Sequence, residues 1–411
     1  MKNNNTGLQN KMKKSYNLLQ FLSALSIASF FLLVITMIIH ITIEYESDTN
    51  TLRAFVHGLF YLPLLIGSML FYIIVRKKLK LELLDGSKRR TRKQNIIHVV
   101  VKIIAIMITS LLALILLISY VALPLFVNRH VNYRGYATND FPLQDIYQAE
   151  DYHLNENQMF LKTEDNLNIW VSEIYTDHPK AVIIYLSGIV QPSVTYFYGH
   201  AKLMQENGYA SILLEVRGHG KSDGGRICLG YDETNDVKAV INYIKSEEKY
   251  KDVPIVVQGA SMGGAIAINA FGQIGDIDAL IAMSAYSSFE DVVLDEMEGF
   301  GVPDFIRSME KPLIVSSLKM IYGSNKVNHR KPIEQIKKAN GRPVLLIASD
   351  GDTEVPAVSM HRLIRAYPAA ETWLRNSWVH YIVKDCDFKN MAEDKEYCNK
   401  ILGFLEKNVK H

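Results

Sequence analysis

A serine between two closely spaced glycines is the main candidate for a nucleophile in this chain. Ser261 lies in the segment Gly-Ala-Ser-Met-Gly at 259–263, after the apolar run 255–257 and before the alanine-rich stretch 265–270. The pattern predicts a strand, a sharp turn and a helix, which is the context in which Gly-x-Ser-x-Gly exposes a nucleophilic hydroxyl. The alternative is an ordinary glycine-rich turn between a strand and a helix.

The chemistry explains why these residue types stand at this spacing. Gly259 and Gly263 remove side chains that would collide with a nucleophile on so tight a turn. The Ser261 hydroxyl then stands clear of the sheet, and the backbone N–H of Met262 lies at the start of a helix, where it can stabilise a developing oxyanion. Ser261 and the Met262 amide are therefore predicted to act together in nucleophilic catalysis.

A nucleophilic serine also needs an acid and a base. Three carboxylates follow the strand-like segment 343–349, and these are Asp350, Asp352 and Glu354. A histidine, His380, lies after the strand-like segment 371–377 and before the last predicted helix, so it is the candidate base. His361 follows the acidic residues too closely, and it is predicted to lie on the next helix.

Strand-like and helix-like segments alternate from about Tyr152 onward, which indicates an α/β fold with a mainly parallel sheet and helices on both faces. Functional groups in such sheets gather at the carboxyl ends of the strands. The predicted strands are 158–163 and 167–175, which form an antiparallel pair, then 181–188, 210–216, 255–258, 278–286, 343–349 and 371–377. The predicted helices include 201–207, 233–249 and 399–408.

In these motifs the chain resembles the α/β-hydrolase superfamily, above all the branch with serine aminopeptidase-like and monoacylglycerol lipase-like hydrolases. The resemblance covers roughly residues 150–410. Members typically have Gly-Asp-x-x-Val-Pro after a strand, and residues 351–356 match this pattern. The resemblance therefore implies that Asp352 is the acid, and the order Ser261, Asp352, His380 is that of this fold.

Two further segments match the same family. The segment 215–224 resembles the loop that follows a central strand, and the resemblance implies a structural role for His219. The segment 185–193 corresponds to the loop that supplies the second oxyanion donor, which by resemblance is the backbone N–H of Ile189. The long interval at about 287–342 corresponds to the cap or lid, whose apolar side chains either line an acyl-binding cleft or form the core of the cap.

The chain departs from the family at two places. Family members usually have His-Gly in the second oxyanion loop, where this chain has Ser187-Gly188. They often have glycine before the histidine of the triad, where this chain has Trp378-Val379. A backbone donor at Ile189 does not depend on the first change, whereas the second alters the residues directly before His380.

The first third of the chain is very apolar. Three stretches, at about 16–43, 54–75 and 103–127, lack charged residues over more than the roughly 20 residues that a helical membrane span needs. The loop at 76–93 has nine basic residues, whereas the loop 44–53 has one. The positive-inside rule then places the N-terminus and the loop 76–93 in the cytoplasm. We therefore expect a membrane region at 1–130 and an extracytoplasmic hydrolase domain at 131–411.

Composition excludes several other classes of protein. The net charge of +2 gives no reason to expect nucleic-acid binding, and no Cys/His cluster has metal-ligand spacing. The chemistry described above needs no cofactor. Of the three cysteines, Cys386 and Cys398 would be able to pair in an exported domain and leave Cys228 free, or all three would remain thiols.

The sequence therefore predicts a multi-pass membrane protein with a serine hydrolase domain. The first expectation for its substrate is a carboxylic ester of a lipid or other acyl compound, because the anchor keeps the site near a bilayer. A peptide amide is the alternative substrate, and a catalytically idle fold that binds a partner at the membrane is the alternative function. A fragment that begins near Tyr133 is expected to fold alone and to cleave short soluble esters.

Overall fold

The computed structural model describes residues 115–132, 147–191, 193–384, 386 and 388–409, with five further residues between 69 and 77. The predicted membrane segment 16–43, nearly all of 54–75 and the first half of 103–127 lie outside this part of the chain. Within the described residues, no helix combines the length and the apolar character needed to cross a membrane. The compact unit that contains the sheet runs from Ser119 to His411, so it begins upstream of the boundary predicted at residue 131.

An eight-stranded sheet forms the centre of this unit, with the strand order β1-β2-β4-β3-β5-β6-β7-β8. β1 and β2 pair antiparallel with their neighbours, and all pairs from β4 to β8 are parallel. Strands β3 to β7 are buried along their whole length, as expected for a sheet covered on both faces. The strands are β1 Asn157–Lys162, β2 Asn168–Ile174, β3 Val182–Leu186, β4 Ala210–Leu214, β5 Ile255–Ala260, β6 Ala279–Met283, β7 Val344–Ser349 and β8 Glu371–Arg375.

Helices connect the parallel strands and cover the sheet. They are α1 Leu123–Val127, α2 Tyr198–Glu206, α3 Thr234–Ser246, α4 Met262–Gln273, α5 Phe289–Gly299, α6 Asp304–Tyr322, α7 Ser324–His329, α8 Pro332–Gln335, α9 Val358–Ala366 and α10 Lys395–Asn408. A π-helical turn at Ile118–Ala122 precedes α1. Helices α2 and α10 pack in one core with side chains from the sheet, and α4 lies against β5 and β6. The cap interval between β6 and β7 holds α5 to α8.

Aromatic side chains fill the core between the sheet, α2 and α10. The rings of Tyr185 and Phe197 stack at 4.8 Å, and the rings of Tyr196 and Phe388 meet edge to face at 5.4 Å. His200 is buried among them, and desolvation lowers the pKa of its ring to about 3. This core fixes the segment after β3, because Tyr196 and Phe197 belong to the short 3₁₀ turn Thr195–Phe197 that leads into α2.

The α/β architecture predicted from the sequence is confirmed, with the mainly parallel sheet and the antiparallel pair at its start. Helix bounds differ from prediction. The last helix begins at Lys395 rather than at residue 399, because the side chain of Asp394 accepts the N–H of Tyr397 as its N-cap. In the part of the chain that the structure describes, Cys228, Cys386 and Cys398 form no disulfide, in agreement with the alternative in which all three remain thiols.

Candidate active site

The turn between β5 and α4 places Ser261 in a backbone conformation that is rare for a residue with a side chain. Its φ is 57° and its ψ is −123°, and the N–H of Ser261 donates to the carbonyl oxygen of Met283 at the end of β6. A conformation of this kind costs about 1–3 kcal/mol and persists only where the surrounding structure imposes it. Ser261 is 8% exposed, at the carboxyl end of a central strand.

Two glycines make this turn sterically possible. A Cβ at Gly259 would lie 2.1 Å from the carbonyl oxygen of Gly263, and a Cβ at Gly263 would lie 2.2 Å from the carbonyl oxygen of Leu186. Both contacts are with backbone atoms, so neither can be relieved by a side-chain movement. Strand β3, strand β5 and helix α4 can therefore meet closely at this point only because these residues lack side chains.

His380 and Asp352 are joined by a hydrogen bond. The His380 Nδ1 lies 2.7 Å from the Asp352 Oδ2, and both side chains are buried. The other carboxylate oxygen of Asp352 accepts the N–H groups of Glu354 and Val355 at 2.9 and 3.0 Å. The carboxylate is thus held by its own loop, and it orients the imidazole so that Nε2 is left for another partner.

Serine hydroxyls at the ends of two strands fix the backbone around His380. The Ser284 hydroxyl, just after β6, donates to the His380 carbonyl oxygen at 2.5 Å. The Ser349 hydroxyl, the last residue of β7, donates to the Val379 carbonyl oxygen at 2.7 Å. Ser261, Asp352 and His380 follow β5, β7 and β8, so all three lie at the same edge of the parallel sheet.

The two other carboxylates of the acidic loop have different surroundings. Asp350 accepts the N–H of Ser377 at 2.9 Å, which closes the loop between β7 and β8. Glu354 Oε2 lies 3.9 Å from His380 Nε2, on the side of the ring away from Asp352. Among the hydrogen bonds of the described residues, none joins Ser261 Oγ to His380 Nε2.

Carboxylates surround the His380 ring and control its charge. Burial disfavours the imidazolium, but the negative charges of Asp352 and Glu354, the hydrogen bond to Asp352 and the more remote Glu296 together outweigh burial. The net effect raises the pKa of His380 to about 9. These carboxylates therefore favour the imidazolium form of His380 over the neutral ring that can act as a base.

Two hydrogen bonds fix the loop after β3 at Gly188 and Ile189. The Gly188 N–H donates to the hydroxyl of Tyr196 at 3.2 Å, and the Ile189 carbonyl oxygen lies 3.0 Å from Nε2 of His219. His219 is fully buried, and desolvation lowers the pKa of its ring. Its contacts are with backbone carbonyl groups, which is a structural role of the kind that the resemblance implies.

Sequence reasoning missed several residues that shape this site. In the sequence, Glu354 is one of three candidate acids, whereas in the structure its side chain faces His380 Nε2. The hydroxyls of Ser284 and Ser349 were not singled out, because a serine at the end of a strand has no distinguishing pattern. Their position at the end of a buried strand (Ser349) or directly after one (Ser284) is the one available signal.

The strand order, the strained serine turn after β5 and the acid and histidine after β7 and β8 define an α/β-hydrolase fold. The sequence profile of the family described as serine aminopeptidase, S33, matches residues 177–297. A solved esterase from Pyrococcus furiosus superposes with a TM-score of 0.52 and 20% identity, over 64% of this chain and 95% of that one. At this level of identity, the likeness shows the fold alone.

Two curated relatives match parts of the chain. An uncharacterized 31.7 kDa protein of Escherichia coli is 28% identical over 113 residues, which are 27% of this chain and 39% of that protein. The uncharacterized protein YqkD of Bacillus subtilis is 26% identical over 191 residues, which are 46% of this chain and 60% of that protein. The matches therefore span less than two thirds of either relative.

The position of Glu354 leads to a prediction about the charge of His380. In Glu354→Gln, the pKa of His380 should fall below that of the wild type, because removal of a negative charge near Nε2 destabilises the imidazolium. Histidine NMR resonances followed across a pH titration measure this pKa directly, without any assumption about activity.

Asp350→Asn is the matched control for this titration. Its carboxylate accepts the Ser377 N–H and does not face the His380 ring, so the substitution should shift the His380 pKa less than Glu354→Gln does. Equal shifts in the two variants would contradict a specific effect of Glu354.

Proposed function

We propose that this protein is a membrane-anchored serine hydrolase that cleaves a carboxylic ester through an acyl-enzyme. Ser261 is the nucleophile, His380 is the general base and acid, and Asp352 orients the imidazole. The observation that carries the proposal is the Asp352–His380 hydrogen bond at the same sheet edge as the strained turn at Ser261.

The proposed chemistry follows from these positions. The Ser261 Oγ attacks the carbonyl carbon of the ester while His380 Nε2 takes the hydroxyl proton, and the N–H groups of Met262 and Ile189 stabilise the oxyanion. Collapse of the tetrahedral intermediate expels the alcohol, which receives its proton from His380. Water activated by the same histidine then hydrolyses the acyl-enzyme, so the cycle needs no cofactor.

The first step requires a hydrogen bond from the Ser261 hydroxyl to His380 Nε2, and this bond is not among those of the described residues. The Nε2 atom faces the Glu354 carboxylate at 3.9 Å, and a hydroxyl must replace that contact before proton transfer. Catalytic hydrogen bonds are often long in the absence of substrate and tighten in the Michaelis complex. Glu354 thus competes with the nucleophile for the base.

Two features support an acyl substrate near a membrane. The first is the set of three long uncharged segments in the N-terminal third of the sequence. The second is the cap helix α6, on which Phe305, Met309 and Met320 are 62%, 43% and 76% exposed. These three positions fall on one side of a helix by its 3.6-residue period, and exposed apolar faces of this kind mark contact with apolar partners.

An amide substrate is the second candidate. The match of residues 177–297 to the serine aminopeptidase profile favours it, and the carboxylates Glu354 and Glu296 near His380 would suit a substrate with an ammonium group. A panel of chromogenic esters and aminoacyl amides separates the two candidates, because the ester proposal requires a higher kcat/KM for an uncharged acyl ester than for any aminoacyl amide.

The nucleophile is tested by covalent labelling. A fluorophosphonate should label the wild type, and Ser261→Ala should abolish labelling while the protein stays folded, because the substitution removes one oxygen from a turn. Ser246→Ala, which removes an exposed hydroxyl that donates to the Tyr243 carbonyl oxygen, is the matched control and should be labelled as the wild type is. Labelling of Ser261→Ala at the wild-type rate would exclude Ser261 as the nucleophile.

The acid is tested by two asparagine substitutions in one loop. Asp352→Asn should lower kcat about 10³- to 10⁴-fold, because the imidazole loses the partner that fixes its orientation and tautomer. Asp350→Asn should be much milder, since an asparagine oxygen can still accept the Ser377 N–H. Steady-state kinetics on a chromogenic ester measure kcat for both variants. A larger loss of kcat in Asp350→Asn than in Asp352→Asn would contradict Asp352 as the acid.

The membrane topology is a separate proposal that rests on the loop charges. A reporter that is active only outside the cytoplasm should be active when fused after His411, and it should be silent when inserted in the basic loop at 77–93. The opposite pattern of reporter activity would reverse the orientation.

A further inference from the structure

A short segment before the hydrolase sheet is bonded into the loop after β4. In this segment, which we call the strap (residues 127–131), the Val127 carbonyl oxygen accepts the Ile227 N–H at 2.9 Å. The Val131 N–H donates to the Gly218 carbonyl oxygen at 2.8 Å, and the Val131 carbonyl oxygen accepts the Gly220 N–H at 3.0 Å. The strap thus pairs with the loop backbone as a parallel bridge between Val131 and His219.

His130 of the strap closes the same loop from the side. Its Nδ1 lies 2.7 Å from the Gly224 carbonyl oxygen, and its Nε2 lies 2.9 Å from the Gly220 carbonyl oxygen. A ring protonated on both nitrogens donates to both carbonyl groups, whereas a neutral ring donates to only one. One side chain therefore joins two points of the loop that are four residues apart.

The carbonyl groups of Gly220 and Gly224 bond to His130, whereas the residues between them are held to β2, since the Ser222 hydroxyl accepts the Trp170 N–H and the Asp223 carboxylate accepts the Asn168 N–H. Gly218, Gly220 and Gly224 all have positive φ values, of 75°, 53° and 114°, so the chain here follows a path that glycine alone adopts readily. The Arg217 side chain anchors the start of the loop through buried hydrogen bonds to Asp236. The Gly218 N–H bonds within the loop to the Asp223 carbonyl oxygen, whereas the strap supplies the partners of the Gly218 carbonyl oxygen and of the Gly220 N–H.

These bonds enclose His219, whose side chain contacts the loop after β3. We call this loop, which contains Ile189, the oxyanion loop. Val131 bonds to the backbone on both sides of His219, and His219 Nε2 lies 3.0 Å from the Ile189 carbonyl oxygen. The contacts form a continuous series from the strap, through the 217–224 loop, to the residue whose N–H is the proposed second oxyanion donor.

We propose that His130 is a positioning residue for the oxyanion loop, and that the strap is part of the hydrolase site rather than a linker to it. This inference rests on the proposed function. Without the bonds from His130, the 217–224 loop has more freedom, His219 holds Ile189 less firmly, and the transition state loses stabilisation while the bound substrate does not. A fragment that begins near Tyr133 would lack all of these bonds.

The test uses the full-length chain with His130→Ala and His130→Gln. With p-nitrophenyl acetate as the probe, His130→Ala should lower kcat about tenfold or more, since loss of an entire oxyanion donor costs about 10²- to 10³-fold. KM should stay within about twofold of wild type, because an interaction made in the transition state is lost. His130→Gln, whose amide can donate to one of the two carbonyl groups, should fall between the wild type and His130→Ala.

His361→Ala is the matched control, since His361 is exposed on α9, and its kinetics should equal those of the wild type. Thermal unfolding of each variant sets a temperature at which all are folded. An unchanged kcat in His130→Ala overturns the inference, and so does an equal change in kcat and KM. If His130→Ala does not fold, His130→Gln decides by the same criteria.

The wild type separates this inference from the proposed function. A wild-type protein that a fluorophosphonate does not label at Ser261, and that hydrolyses no ester, overturns both. A labelled and active wild type with unaltered His130 variants overturns only the role of the strap.

Discussion

The tight turn at Ser261 is the constraint on which the rest of the site depends. A non-glycine residue with φ of 57° is tolerated because β3, β5 and α4 press together around it, and they can do so because Gly259 and Gly263 have no side chains. The same contact brings the backbone of Leu186, at the end of β3, against the start of α4. Ile189 follows Leu186 by three residues, so the loop that carries the second proposed oxyanion donor leaves β3 at this contact.

The charges around His380 impose a second constraint. A base must be unprotonated before it can take a proton, and the nearby carboxylates favour the protonated ring. Asp352 orients the imidazole of His380, but every carboxylate near the ring also stabilises its protonated form. Asp352 is buried and bonded to its own loop, so its orienting effect cannot be separated from its charge. Glu354 is different, because it is more exposed and lies on the Nε2 side. Its charge supports the imidazolium without orienting the ring.

Local pattern was sufficient for much of the fold. The strand, turn and helix around Ser261 were predictable because the apolar run, the glycines and the alanine-rich stretch are adjacent in sequence. Asp352 and His380 are 28 residues apart, yet their approach was predictable, since both follow predicted strands of a mainly parallel sheet, whose carboxyl ends gather functional groups. The direction of the Glu354 side chain was not, because a loop imposes no periodicity on its side chains. The bonds of His130 were not predictable either, as their partners lie 90 and 94 residues further along the chain.

The strap also changes how the two parts of the chain should be divided. An anchor that only tethers a catalytic domain would be joined to it by residues without partners, and its effect would be on effective concentration alone. Here the residues that follow the third predicted membrane segment have backbone bonds to the loop that holds His219, and the buried Ser119 hydroxyl donates to Glu310 of the cap helix α6 at 2.5 Å. The compact unit accordingly begins at Ser119, inside that predicted segment. Within this unit, Ser119 is bonded to the cap helix through Glu310 and His130 is bonded to the 217–224 loop, so residues 119–131 belong to the hydrolase fold and are not a free linker.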